Sequence, residues 1–177
     1  HALETLSQLQ PVRGRMELAG RHPNGATIFV DYAHTPDALK TVLQALKPHT
    51  KNELKVIFGC GGNRDKAKRK IMGKLACNLA DQVYVTDDNP RSENPSMIRN
   101  EILKECPGGH DVGERLGAIK NAVSDLKPGD ILLIAGKGHE QGQVIGNNVI
   151  NFDDVSVVCS TILALEKDEI ENKKGLS

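Results

Sequence analysis

Four short apolar runs divide the chain: "ATIFVDY" at 26–32, "LKVIFG" at 54–59, "DQVYVT" at 81–86 and "DILLIAG" at 130–136. Each is continuous rather than alternating, the pattern of a strand buried on both faces of a parallel sheet. Between them, apolar residues recur at helical spacing. "TPDALKTVLQALK" (35–47) puts Leu39, Val42, Leu43 and Leu46 on one stripe, and 65–80, 94–105 and 113–126 behave likewise. Thr35-Pro36 and Asn94-Pro95 each pair an N-cap residue with a proline in the first turn, which marks two helix starts. Strand–helix alternation with right-handed crossovers predicts an α/β fold, a Rossmann-like, doubly wound, mostly parallel sheet. "RGRMELA" (13–19), joined to the 26–32 strand through "GRHPNG", predicts a hairpin that supplies an antiparallel edge strand. A second ribbon at 143–152 turns at an Asn-Asn step, a last helix spans about 153–166, and the charged end at 167–177 reads as a fraying tail.

In open α/β sheets, ligands bind beyond the carboxyl ends of the strands. Here those ends lead into "DYAHTPD" (31–37), "GCGGNRDKAKR" (59–69), "DDNPR" (87–91) and "GKGHE" (136–140), each dense in Gly, His, Arg, Asp or Glu. One such loop is noise, but four at one sheet edge predict a site. The glycines of "GCGGNRD" let backbone N–H groups approach an anion, although a tight strand-to-helix turn accounts for them equally. Arg64 in that loop carries a planar fork suited to a carboxylate or phosphate. "DYAHTPD" offers Asp31 and His34, and "GKGHE" offers Lys137, His139 and Glu140, of which the lysine and glutamate could simply pair. A metal site from His34, His139 and Glu140 has no supporting spacing. "TDDNPRSENP" (86–95) carries both signs of charge across a rigid Asn-Pro step, which suits either a solvated turn or a clamp for a zwitterion.

Composition narrows the classes. The chain has 177 residues, enough for one domain, and its 23 basic and 23 acidic residues cancel. Neutral charge and scarce aromatics argue against nucleic acid as a partner. No apolar run approaches the ~20 residues of a membrane span. Four scattered cysteines without a CxxC pair suggest free thiols and a cytoplasmic setting. There is no GxxxxGK[ST] loop, GxSxG elbow or HExxH, so groups for holding ligands are present without a catalytic residue of the chain's own.

Taken in order, "GRME", "VDYAHTPDAL", "FGCGGNRDKAKRKIMG", "TDDNPRSENP", "ERLGAI" and "IAGKGHE" resemble the C-terminal domain of the Mur ligases, and among them the diaminopimelate-adding members. The resemblance spans about residues 11–158. It implies a three-domain cytoplasmic enzyme of peptidoglycan synthesis, in which a central domain holds ATP and Mg2+ and another holds UDP-MurNAc-L-Ala-D-Glu. Residues 1–12 would then be a linker from the central domain, and 13–166 the amino-acid-binding domain that closes over ATP. By the same resemblance Arg64, Asp88, Asn89, Pro90, Arg91, Gly136 and Glu140 bind meso-diaminopimelate. Arg91 would pair with its distal carboxylate, and Asp88 and Asn89 would accept from its ammonium. Asp31, His34 and Asn63 match the loops facing ATP, with Asn63 standing where the family usually has Asp. Lysine-adding relatives lack the arginine, and lysine has no distal carboxylate to pair with it. A lysine-adding ligase domain and a stand-alone Rossmann-like nucleotide-binding module are the alternatives. The second lacks the third glycine of the dinucleotide fingerprint.

Overall fold

A computed structural model describes residues 12–174. In chain order its elements are β1 (Glu17–Arg21), β2 (Thr27–Asp31), α1 (Pro36–Leu46), β3 (Leu54–Phe58), α2 (Ala67–Leu79), β4 (Gln82–Thr86), α3 (Pro95–Leu103), β5 (His110–Gly113), α4 (Arg115–Ser124), β6 (Ile131–Ala135), β7 (Gly142–Ile145), β8 (Asn148–Asn151) and α5 (Asp154–Lys174). Six strands form one sheet in the order β1-β2-β6-β3-β4-β5, with β1 antiparallel to β2 and every other pair parallel. The predicted doubly wound sheet with an antiparallel edge is thus the observed one. Every residue of β3 and β6, the two central strands, is buried.

Alternation along these strands builds two cores. Val56, Phe58 and Leu133 face α1, α2 and α3, meeting Leu39, Leu43, Met72 and Ile102. Ile57, Leu132 and Ile134 face α4 and α5, meeting Ile119, Val123 and Val158. Both predicted caps form: the Thr35 side chain accepts from the Ala38 N–H, and Asn94 accepts from the Ser96 N–H.

Several boundaries differ from expectation. The edge strand begins at Glu17 rather than 13, because residues before it turn to reach the site edge. β5 was not anticipated: "HDVG" has one apolar residue and lies half-exposed at the sheet edge, so it carries no apolar run. The β7–β8 ribbon turns at Gly146-Asn147, not Asn-Asn, because the first central position needs positive φ and Gly146 supplies it at +58°. The last helix continues to Lys174, since residues 167–174 hold good helix formers and no Gly or Pro. Most of the 1–12 linker and the last three residues of the tail lie outside the described residues.

One glycine lets two helices touch. A Cβ on Gly73 of α2 would collide with the Ile102 carbonyl oxygen of α3, whereas a Cβ on Gly117 of α4 would meet open space. Gly73→Ala is therefore expected to destabilise the fold by about 1–3 kcal/mol through overpacking. Gly117→Ala is expected to stabilise it by roughly 0.5–1 kcal/mol through lower chain entropy. Opposite shifts of the urea midpoint check both signs.

Candidate ligand site at the carboxyl edge of the sheet

Because β2, β6, β3 and β4 run parallel, the loops after Asp31, Ala135, Phe58 and Thr86 emerge side by side. They enclose a cavity of about 510 Å3 whose walls include Arg64, Asp88, Asn89, Arg91, Gly136 and Glu140. Six of the seven residues expected to bind an amino acid therefore share one space. Pro90 is the exception. It is buried under the wall, and its carbonyl oxygen meets the backbone of the glycine loop. A larger hollow of about 670 Å3 lies behind the ribbon, between Gln141, Phe152 and Val157. It gathers none of these six, so the smaller cavity is the candidate site.

The two loops on its floor approach as closely as glycine allows. A Cβ on Gly59 would collide with the Thr86 carbonyl oxygen and one on Gly62 with that of Pro90, while the Gly62 N–H donates to the Asn89 carbonyl at 2.9 Å. The glycines of "GCGGN" thus serve loop-to-loop contact.

Arg91 is held in a left-handed backbone conformation, φ +53°, which costs a non-glycine residue about 1–2 kcal/mol. The ribbon supports it: the Arg91 N–H donates to the Val144 carbonyl at 3.1 Å, and the Gly146 N–H donates to the Arg91 carbonyl at 2.7 Å. Its guanidinium donates to the carbonyls of Gly62 (3.0 Å) and Asn89 (3.2 Å). Both acceptors are neutral, so this half-buried cation has no anionic partner among the described residues. Arg64 stands exposed at the rim. Facing them are Asp88, whose carboxylate lies against the Cα of Gly136, and Glu140. The cavity therefore offers the two guanidinium forks and the carboxylates of Asp88 and Glu140, with Lys68 and Asp65 also on its wall, groups of both signs that complement a zwitterion.

Asn89 behaves differently from expectation. Its Oδ1 accepts from Lys137 Nζ at 3.0 Å and from the Val144 N–H at 2.9 Å, and its Nδ2 donates to Glu140 Oε2 at 3.1 Å. An amide oxygen has two lone pairs, and both are engaged. Asn89 therefore cannot accept from an ammonium; its remaining capacity is one N–H. The Lys137–Glu140 pair read from "GKGHE" forms, at 3.3 Å.

The three residues matched to the ATP-facing loops separate. His34 lines the cavity, its ring beside Tyr32 at 4.5 Å between centroids. Asp31 is buried outside it, one oxygen accepting from the Ala33 N–H (2.8 Å) and the other from the Met16 N–H (2.7 Å), so it ties the loop after β2 to the turn before β1. Asn63, left-handed at φ +54°, donates its N–H to Glu93 and its side-chain amide to the Ser92 hydroxyl, bracing one loop on the other.

Two residues beneath the site escaped sequence reasoning. Arg69 is wholly buried and donates to both oxygens of Glu93, to Glu101 and to the Gly61 carbonyl. Its signal was its place on the buried stripe of α2 with Met72, Gly73 and Ala76. Arg115, also wholly buried, makes a two-pronged pair with Asp154 and donates to the Ala135 carbonyl just before Gly136. Cys60 is no nucleophile at neutral pH, because burial pushes its thiol up to about 12. Among the described residues, no group of three or more His, Cys, Asp or Glu side chains could hold a metal ion, and no helix is long and apolar enough to cross a membrane.

A Rossmann-like domain with a charge-paired cavity at its strand ends defines a class of ligand-positioning domains, and comparison makes it specific. The profile described as "Mur ligase, glutamate ligase domain" matches residues 14–138. The chain belongs to the Mur ligase family. It is 53% identical over 165 residues to the UDP-N-acetylmuramoyl-L-alanyl-D-glutamate–2,6-diaminopimelate ligase of Zymomonas mobilis, covering 91% of this chain and 34% of that protein. The Caulobacter vibrioides ligase of the same name is 51% identical over 164 residues, covering 93% and 33%. A solved structure of a ligase of this name superposes with a TM-score of 0.81 at 40% identity, covering 92% of this chain and 34% of that one. The chain spans about a third of the length of these relatives.

Glu93 gives the loop scaffold an acid limit. The Arg69 guanidinium first, and the Asn63 N–H second, hold its carboxyl at about 2 against an ordinary 4.5. With the folded value depressed, its stabilisation is complete above pH 4.5 and is lost as pH falls toward 2. Stability followed by denaturant titration is expected to fall across that window, and Glu93→Gln is expected to flatten the fall.

Proposed function

We propose that the chain is the C-terminal domain of an ATP-dependent ligase that joins meso-diaminopimelate to UDP-MurNAc-L-Ala-D-Glu, and that its cavity holds the incoming amino acid. The observation that carries this reading is Arg91, a guanidinium fixed in a strained backbone with no anionic partner among the described residues, facing Asp88 and Glu140. A distal carboxylate is the missing partner, with Arg64 as a second fork. The neighbouring ammonium is accepted by Asp88 and Glu140.

In this reaction the D-glutamate side-chain carboxylate would take the γ-phosphoryl group of ATP, giving an acyl phosphate and releasing ADP. The amine of diaminopimelate then attacks the acyl carbon; an amide forms, phosphate leaves, and the nitrogen gives up a proton. The remaining two-thirds of the enzyme would hold ATP, Mg2+ and the UDP-sugar peptide. This domain's part is positioning. Gripping the distal end of the amino acid directs its other end at the acyl phosphate, and such alignment supplies several kcal/mol of a bimolecular barrier. Closure over the nucleotide, with His34 at the rim, also keeps water from a hydrolysable intermediate.

In the full-length enzyme, Arg91→Ala is expected to lower kcat/KM for diaminopimelate by roughly 30- to 1000-fold, the ~2–4 kcal/mol of a truncated charge-assisted contact. Unaltered kinetics would refute the assignment. Competition between diaminopimelate and L-lysine is expected to favour diaminopimelate strongly, because lysine leaves the guanidinium unpaired. Equal incorporation of the two would exclude this reading of Arg91.

A further inference from the structure

The cavity depends on a residue that does not line it. Lys137 is wholly buried between two glycines just beyond β6, and its ammonium lies 3.0 Å from Asn89 Oδ1 and 3.3 Å from Glu140 Oε2. Asparagine can present either end of its amide to a ligand, and nothing in its own chemistry chooses between them. Here the choice is made by its neighbours. An ammonium and a backbone N–H only donate, and both Lys137 and the Val144 N–H stand on one side of the amide. An ionised carboxylate only accepts, and Glu140 stands on the other. Turning the amide over would bring its NH2 against two donors and its oxygen against a carboxylate. Of the two donors, Lys137 is the charged one, and it also holds the Glu140 oxygen that receives the Asn89 amide.

We propose that Lys137 is a positioning residue for amino-acid recognition: it locks the Asn89 amide so that Asn89 presents only an N–H to the cavity, and it fixes the Glu140 carboxylate beside it. An amide so locked recognises an acceptor, such as a ligand carboxylate oxygen, and rejects an ammonium, which is left to Asp88 and the unshared oxygen of Glu140. The buried lysine thereby sorts the two charges of a zwitterion between two sides of the cavity without touching it. This inference rests on the amino-acid-binding reading for its kinetic consequence, but the amide lock does not.

Two measurements on the full-length enzyme test it. First, Lys137→Met is expected to raise KM for diaminopimelate at least tenfold, with kcat and KM for ATP changing less than twofold. In a cycle with Asn89→Ala, the double variant is expected to lose clearly less than the product of the two single losses, the remainder being the effect carried by Glu140. Equal changes in every kinetic parameter, or additive effects in the cycle, would mean that Lys137 merely supports the fold. Second, with 15N-asparagine labelling, the side-chain NH2 pair of Asn89 is expected to give one set of signals in the wild type, protected from solvent exchange. Lys137→Met is expected to broaden it or speed its exchange at least tenfold, with the thermal midpoint recorded alongside. An unchanged signal overturns the lock. If the wild type adds no diaminopimelate, the assignment of substrate fails while the NH2 signal still decides the role of Lys137.

Discussion

The buried guanidinium of Arg69 is the tie on which the site edge is built. It starts from α2, but its four hydrogen bonds end on the glycine loop, on the chain after β4 and on α3. An uncompensated charge at that depth would cost several kcal/mol, so the segments it joins cannot separate without exposing or orphaning it. Where they meet, Gly59 and Gly62 remove the side chains that would otherwise hold the two loops apart. The cavity floor is the surface of that joint.

Seen as an inventory of charge, the domain divides into groups already satisfied and groups with capacity left over. Asp31 spends both oxygens on backbone N–H groups, and Lys55 is paired with Asp130 and donates to the Asp125 carbonyl. These close the structure on itself. Arg91 and Arg64 do not, and Asp88 has no cationic partner among the described residues. Capacity left over in a constrained geometry separates a ligand-facing group from a structural one, and here it does so within a single stretch: Asp87 is tied to Arg99, while its neighbour Asp88 faces the cavity.

The elements with two buried faces were legible because burial forces continuous apolar runs, and both proline-assisted caps were legible because their chemistry is local. β5 was not, since an exposed edge strand has no reason to be apolar. The ribbon turn was misplaced by one residue because Asn-Asn and Gly-Asn are both good turn pairs, and only the pairing register decides between them. In the site, proximity was predictable and detailed bonding was not. The strand-end rule brought six residues to one cavity, but it could not show that Asp31 and Asn63 brace the chain instead of lining that space, or that Asn89 has its oxygen occupied. Arg69 and Arg115 were hidden for a common reason. A buried cation looks like a surface cation in sequence unless its place on the buried stripe of a helix is weighed.

The ribbon that steadies Arg91 touches it through backbone atoms: a carbonyl at Val144, an N–H at Gly146, and a single parallel bridge to Ile145. Backbone contacts do not read side chains. The ribbon can therefore vary in composition, provided that a glycine stays at the turn and that Gln143, whose buried amide donates to the Asp87 and Asp88 carbonyls, is kept, and the guanidinium stays where it is. Adding or removing one residue is another matter, because it exchanges the faces of the strand and presents the wrong backbone group at each position. The ribbon is a ruler: its length is under constraint while most of its letters are free.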